Sequence, residues 1–362
     1  MFDFRSRIKR LVASFPPELD VVLISDPYSM RYYTGFTGGE GYVIVDRDEK
    51  SAVITDFRYT EMVGKECPDA KCIEIPSGKR GVEIAAETLK KMGISSVGIE
   101  EKHLTVSLMS KLQERLPDIN WVSASELIAK PRAIKDEKEI ELIARAEAIG
   151  DEAFSHILDF IKPGMTEIEI GLELEFTMRR LGASGLSFDT IVASGENSSM
   201  PHAGVSDRRL QAGDLVTMDF GCVYQGYCSD MTRTIAIGDL SDEQMKRYQT
   251  VWTAQALALD EIRPGMNCKD IDKVARDYIY EAGYEGCFGH GLGHSVGLFI
   301  HEEPRFSPTC DEIIRPGMVI TVEPGIYISG KYGVRIEDLV VITEDGYRNL
   351  AHSEKELITI GL

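Results

Sequence analysis

Residues 212–221 read AGDLVTMDFG, and residues 316–325 read PGMVITVEPG. Each segment is a glycine turn followed by a short apolar β run that ends in a carboxylate. A second pair of segments is also similar, because residues 161–182 read IKPGMTEIEIGLELEFTMRRLG and residues 262–283 read IRPGMNCKDIDKVARDYIYEAG. The nearly equal offsets of the two pairs are too long for a solenoid repeat. The sequence therefore predicts one unit of two helices followed by β-strands, used twice about an approximate two-fold axis.

The carboxylates at the ends of the two β runs are Asp219 and Glu323. A lone carboxylate at the end of an apolar strand is costly to bury. Each of the two is followed, across a predicted turn, by a second carboxylate in a strand-like run, Asp230 after Asp219 and Glu337 after Glu323. Taken singly, Asp230 reads as a turn residue and Glu337 as a solvent-facing strand residue. Taken with the repeat, the four are expected at one central place.

Four carboxylates share a buried site only if positive charge lies between them. Two divalent cations would balance four negative charges, and His294 in the segment GHGLGHSVG adds a nitrogen ligand. A set of carboxylates with one imidazole favours Mn²⁺, with Co²⁺, Fe²⁺ or Zn²⁺ as alternatives. Two such ions activate a water molecule as a nucleophile at neutral pH. The residues alone thus predict a dinuclear hydrolytic centre.

The first third of the chain alternates strand and helix signals, which predicts a separate α/β domain over residues 1–130. Pro131 breaks the chain, and a capping box at Asp136 and Glu139 then begins a long helix, so the second domain is expected over residues 131–362. Within the first domain, β-strands are predicted at 21–25, 41–46, 51–55, 72–75, 96–100 and 120–122, and helices at 82–91 and 105–116.

The composition excludes several classes of protein. Of 362 residues, 40 are basic and 59 acidic, which gives a net charge of −19. Such a surface repels phosphate backbones, so neither nucleic acid nor an anionic membrane is an expected partner. No apolar run is long enough to span a bilayer. The seven cysteines lack a CxxC motif and are expected to be free thiols, which indicates a cytoplasmic protein.

Five ordered motifs carry a resemblance to a known family: FDTIVASGENSSMPH, GDLVTMDFGCVYQGYCSDMTRT, GHGLGHSVGLFIHEEP, TVEPGIY and GVRIED. They closely resemble the proline-specific metallopeptidases of the pita-bread fold (peptidase family M24), which include aminopeptidase P and prolidase. The segment SMRYYTGFTGGEGYVIVD resembles the creatinase-like N-terminal domain of the same family. The resemblance implies a creatinase-like α/β domain followed by an α+β pita-bread catalytic domain.

The resemblance also implies roles for individual residues. The five metal ligands of the family fall on Asp219, Asp230, His294, Glu323 and Glu337. The histidines around the substrate fall on His202 and His301, with His290 beside the metals. Tyr327 matches a tyrosine near the site, and both His290 and Tyr327 are expected among the substrate-binding residues. Arg335 matches an arginine that steadies a metal-binding carboxylate. The segments PHAGVSDRRL and HEEPRFSP are similar to prolidase, in which Arg305 would bind the free carboxylate of a dipeptide. The alternative for Arg305 is a solvated loop residue.

The activity that the resemblance implies is metal-dependent hydrolysis of Xaa-Pro bonds in short proline-containing peptides, with release of the N-terminal residue by a homodimer. Glu323 is the expected base, while His202 and His301 are expected to hold the substrate carbonyl groups. Three alternatives share the scaffold. A non-catalytic peptide-binding protein would lack metal ligands, a methionine aminopeptidase would lack the extra N-terminal domain, and a metal-free creatinase would lack the carboxylate set.

Overall fold

The computed structural model describes residues 2–361, and the chain divides after Arg132 into two compact units. The helices of the first unit are α1 (Phe4–Ala13), α2 (Pro27–Thr34), α3 (Thr60–Glu66), α4 (Gly81–Lys91), α5 (Val106–Arg115) and α6 (Ser125–Ala129). Its strands are β1 (Val21–Ile24), β2 (Tyr42–Asp46), β3 (Ser51–Asp56), β4 (Ala70–Ile75), β5 (Ser96–Ile99) and β6 (Asn120–Ser123). They form one sheet in the order β4-β3-β2-β1-β5-β6. The predicted α/β class of this region is confirmed.

A tight turn joins β2 to β3, which pair antiparallel. The Asp46 carboxylate accepts the backbone amides of Asp48 and Lys50, both at 3.0 Å. Glu49 takes a positive φ of 63° between them. A short acidic side chain that binds the backbone ahead of it is a common device for closing a turn. The strands on both sides lie within one residue of the predicted hairpin.

The helices of the second unit are α7 (Glu137–Phe160), α8 (Glu167–Arg180), α9 (Asp242–Glu261) and α10 (Cys268–Ile279). Its strands run as β7 (Gly185–Leu186), β8 (Ile191–Ser194), β9 (Leu215–Phe220), β10 (Cys222–Tyr224), β11 (Tyr227–Cys228), β12 (Met231–Ile237), β13 (Gly293–Ser295), β14 (Glu302–Phe306), β15 (Val319–Val322), β16 (Gly325–Ile328), β17 (Tyr332–Arg335), β18 (Asp338–Ile342), β19 (Tyr347–Asn349) and β20 (Thr359–Ile360). The sheets have the orders β11-β10-β7, β20-β12-β9-β8, β14-β13-β15-β18-β19 and β16-β17.

The internal repeat is visible in matching hydrogen bonds. The amide of Gly164 donates to the carbonyl of Leu210, and the amide of Gly265 donates in the same way to Ile314, both at 2.9 Å. The two glycines have φ of +87° and +92°, which favours glycine at each of these turns. The second glycine turn repeats as well, because the amides of Gly213 and Gly317 donate to the carbonyls of Ile237 and Ile342. The predicted unit of two helices followed by strands is therefore present twice.

Each copy has its own apolar core. Helices α7 and α8 pack on the sheet of β8, β9 and β12 through residues such as Ile149, Ile157, Leu174 and Val216. Helices α9 and α10 pack on the sheet of β13, β15 and β18 through residues such as Val251, Ile271, Ile320 and Val340. Each fully buried apolar side chain contributes roughly 1.5–3 kcal/mol. The two rigid layers hold the strand ends that carry the carboxylates.

The two sheets meet at β12 and the segment between β17 and β18. The amide of Glu337 donates to the carbonyl of Thr232 at 3.1 Å, and the Thr234 hydroxyl donates to the carbonyl of Arg335 at 2.8 Å. These contacts join residues about one hundred positions apart in the chain. They bring Glu337 of the second copy close to Asp219 and Asp230 of the first copy.

Two predictions from the composition, one on the cysteines and one on membrane-spanning segments, apply to all described residues. All seven cysteines, which lie within residues 2–361, are free thiols. Over the same residues, no helix has both the length and the apolarity needed to cross a bilayer.

Candidate metal centre

The structure brings the four predicted carboxylates and His294 together. Asp219 lies in β9 and Asp230 directly precedes β12, two antiparallel strands in which Asp219 pairs with Thr232. Glu323 directly follows β15, and Glu337 lies between β17 and β18. Oxygens of Asp219, Asp230 and Glu337 all lie within 4.8 Å of one another.

His294 lies in β13 and faces two of the carboxylates. Its Nε2 is 3.4 Å from Asp230 Oδ2 and 3.5 Å from Glu323 Oε1. Its Nδ1 is 3.2 Å from the carbonyl oxygen of Ser295, which can only accept a hydrogen bond. This contact places a proton on Nδ1, so Nε2 is the ring nitrogen that faces the carboxylates. In this orientation Nε2 is the atom that would coordinate a metal ion held between the ring and the two carboxylates.

In two of the carboxylates, one oxygen accepts a hydrogen bond and the other does not. Asp219 Oδ2 accepts from Arg335 Nη2 at 2.6 Å, and Glu337 Oε2 accepts from the Thr232 hydroxyl at 2.7 Å. Among the described residues, the other oxygens of these two groups, Asp219 Oδ1 and Glu337 Oε1, are buried without a hydrogen-bond partner. Buried acceptors without partners are costly. The residues present therefore fit divalent cations, which these unpaired oxygens would coordinate.

The pKa shifts of the carboxyl groups in the cluster also favour bound cations. Burial, followed by repulsion from neighbouring carboxylates, raises the pKa of Asp230 and of Glu337 well above the ordinary values. Burial also raises the pKa of Glu323, although His294 and Arg335 act in the opposite direction. The protein alone thus does not stabilise the fully ionised cluster, and added positive charge would.

Arg335 is the buried cation of the centre. Beyond its bond to Asp219, its Nε donates to the Thr232 hydroxyl at 3.0 Å, and that hydroxyl in turn donates to Glu337. Burial opposes the charge of Arg335, but Tyr327, Asp219 and Glu323 raise its pKa overall. One guanidinium therefore orients carboxylates from both copies of the repeat.

His290 and Tyr327 bond to each other. His290 Nδ1 is 2.7 Å from the carbonyl oxygen of Gly291, so Nδ1 carries the proton and Nε2 accepts from the Tyr327 hydroxyl at 2.9 Å. The same hydroxyl accepts from Arg335 Nη1 at 2.9 Å. Burial, followed by repulsion from Arg335, lowers the pKa of His290 to about 4, and the ring is neutral at pH 7. Both residues are expected from the resemblance to contact substrate. In the structure the His290 ring bonds to Tyr327 and to the backbone, and Tyr327 bonds to Arg335.

His301, His202 and Arg305 lie around the cluster. The His301 ring packs edge-on against His294, with centroids 4.5 Å apart. Partial burial, then repulsion from His294 and Arg305, lowers the pKa of His301 to about 4. His202 follows the 3₁₀ turn Gly195–Ser199 and is exposed. Arg305 lies on the exposed face of β14, directly opposite His294 in the strand pairing, with its Nε 3.3 Å from Glu303 Oε1.

Three residues of the site were not identified from the sequence. Thr232 and Thr321 each lie two positions from a carboxylate on one face of a strand, and Thr321 donates to Glu323 Oε1 at 3.0 Å. That spacing was a usable signal. The third residue, Glu147, is buried in α7 and accepts the backbone amide of Asp230 at 3.2 Å. No local pattern connects a helix residue to a strand 83 positions away.

Comparison with known proteins assigns the two units to families. The family description "Metallopeptidase family M24" matches residues 141–344, and "Creatinase/Prolidase N-terminal domain" matches residues 7–134. An Xaa-Pro dipeptidase of Pyrococcus furiosus is 39% identical over 356 residues, which cover 98% of this chain and 100% of the relative.

Solved structures are similar over nearly the full length. An Xaa-Pro dipeptidase from Bacillus anthracis has a TM-score of 0.95 and 42% identity, covering 99% of this chain and 100% of the other. An X-Pro aminopeptidase from Thermotoga maritima has a TM-score of 0.88 and 37% identity, covering 98% and 100%. The chain belongs to metallopeptidase family M24, and it carries the creatinase/prolidase type of N-terminal domain ahead of the pita-bread catalytic domain.

Proposed function

We propose that this chain hydrolyses the peptide bond before proline in short peptides and releases the N-terminal residue. The observation that carries the proposal is the cluster of four carboxylates and His294, in which Asp219 Oδ1 and Glu337 Oε1 are buried without a hydrogen-bond partner among the described residues. The relatives named Xaa-Pro dipeptidase and X-Pro aminopeptidase support the same class of substrate. An amide before proline has no N–H, so it needs a site that does not depend on binding the substrate as an added strand.

The ligands that we propose for two divalent ions are Asp219, Asp230, His294, Glu323 and Glu337. We propose Mn²⁺, because oxygen ligands dominate the set and one imidazole completes it. When bound, such ions lower the pKa of a water molecule and polarise a carbonyl group. On the resemblance alone we also propose a homodimer, and the seven free thiols support a cytoplasmic location.

Glu323 is the group that takes a proton in this proposal. Thr321 fixes Oε1, and burial raises the carboxyl pKa, which makes Glu323 a better proton acceptor near neutral pH. The proton received from the attacking water then passes to the proline nitrogen as that nitrogen leaves. An amide nitrogen leaves readily only after it has been protonated, so one residue serves both halves of the reaction.

His301 and His202 hold the substrate carbonyl groups. With a pKa of about 4, the His301 ring is neutral at pH 7 and has one N–H to donate. An N–H directed at the carbonyl oxygen becomes a stronger hydrogen bond as negative charge develops on that oxygen. Repulsion from His202 is a lesser cause of the lowered pKa of both His290 and His301, which supports a position of His202 near these two rings.

A panel of three substrates tests the proposal. With Mn²⁺ present, we expect kcat/KM for Ala-Pro or Ala-Pro-Ala to exceed that for Ala-Ala by at least about 10²-fold, because the site is shaped for the tertiary amide. Product release can be followed by chromatography of the free alanine. Equal rates on Ala-Ala would contradict a proline-specific site, and no hydrolysis of any substrate by metal-loaded protein would contradict a peptidase.

Arg305 separates dipeptidase from aminopeptidase activity. In Ala-Pro the proline carboxylate lies beside the scissile bond, where a guanidinium on the His294 side of β14 can bind it. In Ala-Pro-Ala that carboxylate has become an amide. We therefore expect Arg305→Ala to raise KM for Ala-Pro roughly tenfold and to leave KM for Ala-Pro-Ala nearly unchanged.

Steady-state kinetics on both substrates measure this difference. The matched control is Arg315→Ala, which removes an exposed arginine from a turn of the same unit. Glu303→Gln removes the negative charge that lies 3.3 Å from Arg305 and should not weaken dipeptide binding. Equal changes in KM for both peptides would assign Arg305 to the surface and favour aminopeptidase activity.

A further inference from the structure

Several buried carboxylates lie outside the proposed ligand set, and Glu167 is one of them. Glu167, the first residue of α8, has no exposed surface. Its Oε1 accepts the backbone amide of Ser194 at 2.6 Å and the Ser194 hydroxyl at 2.7 Å. Its Oε2 accepts the Ser206 hydroxyl, and the Asn197 side-chain amide lies 3.2 Å and 3.1 Å from the two oxygens. One carboxylate therefore binds both ends of the 194–206 loop, which leads out of β8, and also Asn197 near its start.

The 194–206 loop carries His202. Within residues 2–361, no side chain or backbone group forms a hydrogen bond with the His202 ring. The position of the ring therefore depends on the backbone of the loop. A loop ordered by a buried carboxylate loses little freedom when substrate binds, which favours catalysis.

The opposite side of the same loop contacts the second copy of the repeat. The amide of Gly333 donates to the Ser198 hydroxyl at 2.9 Å, and Arg335 Nη1 donates to the carbonyl of Pro201 at 3.3 Å. A Cβ atom at Gly333 would lie only 2.1 Å from the carbonyl oxygen of Ser198, so the two backbones touch. The loop is thus fixed between Glu167 on one side and β17 with Arg335 on the other.

The repeat provides an internal comparison. The residue that begins α10, in the position matching Glu167, is the buried Cys268. In the sheet orders β13 takes the place that β8 has in the first copy, so the counterpart of the 194–206 loop is the segment after β13, which carries His301. A carboxylate at the first position of the helix is therefore not a requirement of the repeated fold.

We propose that Glu167 is a positioning residue, which orders the 194–206 loop so that His202 reaches the substrate beside the metal ligands. The inference rests on the role proposed above for His202. Glu167 acts indirectly, because its two carboxylate oxygens bind the loop rather than the metal-binding cluster.

A double-mutant cycle tests the inference. Glu167→Ala and the conservative Glu167→Gln are each combined with His202→Ala, and Glu173→Gln is the matched control. Glu173 lies on the same helix and contacts His156 and Arg180 instead of the loop. We expect His202→Ala to lower kcat roughly 10²-fold. We expect Glu167→Ala to lower it by about 10- to 100-fold, Glu167→Gln by less, and Glu173→Gln by less than twofold.

The distinguishing result is that Glu167→Ala adds less than about twofold to the defect of His202→Ala. Bound metal per chain should be unchanged, and amide exchange of residues 195–206 in metal-free protein should accelerate in both Glu167 variants but not in the control. If the two kcat defects multiply, or loop exchange is unaltered, Glu167 does not act through His202. If His202→Ala alone keeps normal kcat, the role proposed for His202 fails first, and the inference fails with it. Should Glu167→Ala fail to fold, Glu167→Gln decides by the same criteria.

Discussion

Glu323→Gln should lower kcat/KM for Xaa-Pro substrates by at least roughly 10²–10⁴-fold, the contribution that a positioned proton-transfer group makes. Glutamine keeps the size of the side chain and one carbonyl oxygen, but it cannot accept the proton. It also removes one negative charge from a centre whose four carboxylates are proposed to balance two cations. Because proton transfer and metal affinity both depend on the carboxylate, this substitution should be among the most damaging single changes.

Two measurements separate these two effects. Metal content per chain, determined after gel filtration, reports the ligand role, and kcat at saturating Mn²⁺ reports the proton transfer. Glu344→Gln, which neutralises an exposed glutamate in the same unit, is the control and should leave both unchanged. If Glu323→Gln keeps more than a tenth of the activity at saturating metal, the base lies elsewhere.

Removal of the metal should abolish activity and also change how stability depends on pH. In the metal-free protein, burial and the neighbouring carboxylates raise the pKa of Asp230 and Glu337 well above that in the unfolded chain, which is about 4. The folded state then binds more protons than the unfolded state above pH 4. The free energy of unfolding therefore falls as pH rises from about 4 toward the raised pKa values. Bound cations remove this effect because they favour the ionised carboxylates.

The expected observation is a gap in Tm between metal-loaded and chelated protein that widens from pH 5 to pH 8. At a free metal concentration of about 1,000 times Kd, binding contributes about 4 kcal/mol, or roughly 10 °C in Tm for a domain of this size. Scanning calorimetry with and without chelator measures the gap, and Glu337→Gln should make the chelated protein less sensitive to pH. A gap that narrows as pH rises, or full activity after the metal has been removed, would contradict the metal centre.

Local sequence signals determined a large part of the fold. The apolar β runs LVTMD and VITVE, the glycine turns before them and the capping box at Asp136 each act within a few positions of the chain. These signals are therefore readable without tertiary structure. By contrast, α2 has two β-favouring tyrosines and was not predicted. Its start depends on Asp26 binding the amides of Tyr28 and Ser29, with Pro27 at the first helical position.

The carboxylates of the candidate site were readable for a similar reason. A charged residue that ends an apolar strand is costly to bury alone, and the repeat supplied the partner that local context lacked. The sequence by itself thus indicated Asp219, Asp230, Glu323 and Glu337 as one cluster, with His294 as a further ligand.

Only the tertiary structure decided how each of these groups is held. Arg335 binds Asp219 from 116 positions away, Thr232 binds Glu337 from 105 positions away, and His290 is engaged by Tyr327. The position of His202 likewise depends on a glutamate in an earlier helix. Such contacts follow from the packing of two sheets and their helices. Hydrogen bonds between distant segments produce no periodic pattern in the sequence, so they cannot be predicted from it. Strand ends and turns are local consequences of sequence, whereas the free and occupied lone pairs of an active site are properties of the assembled fold.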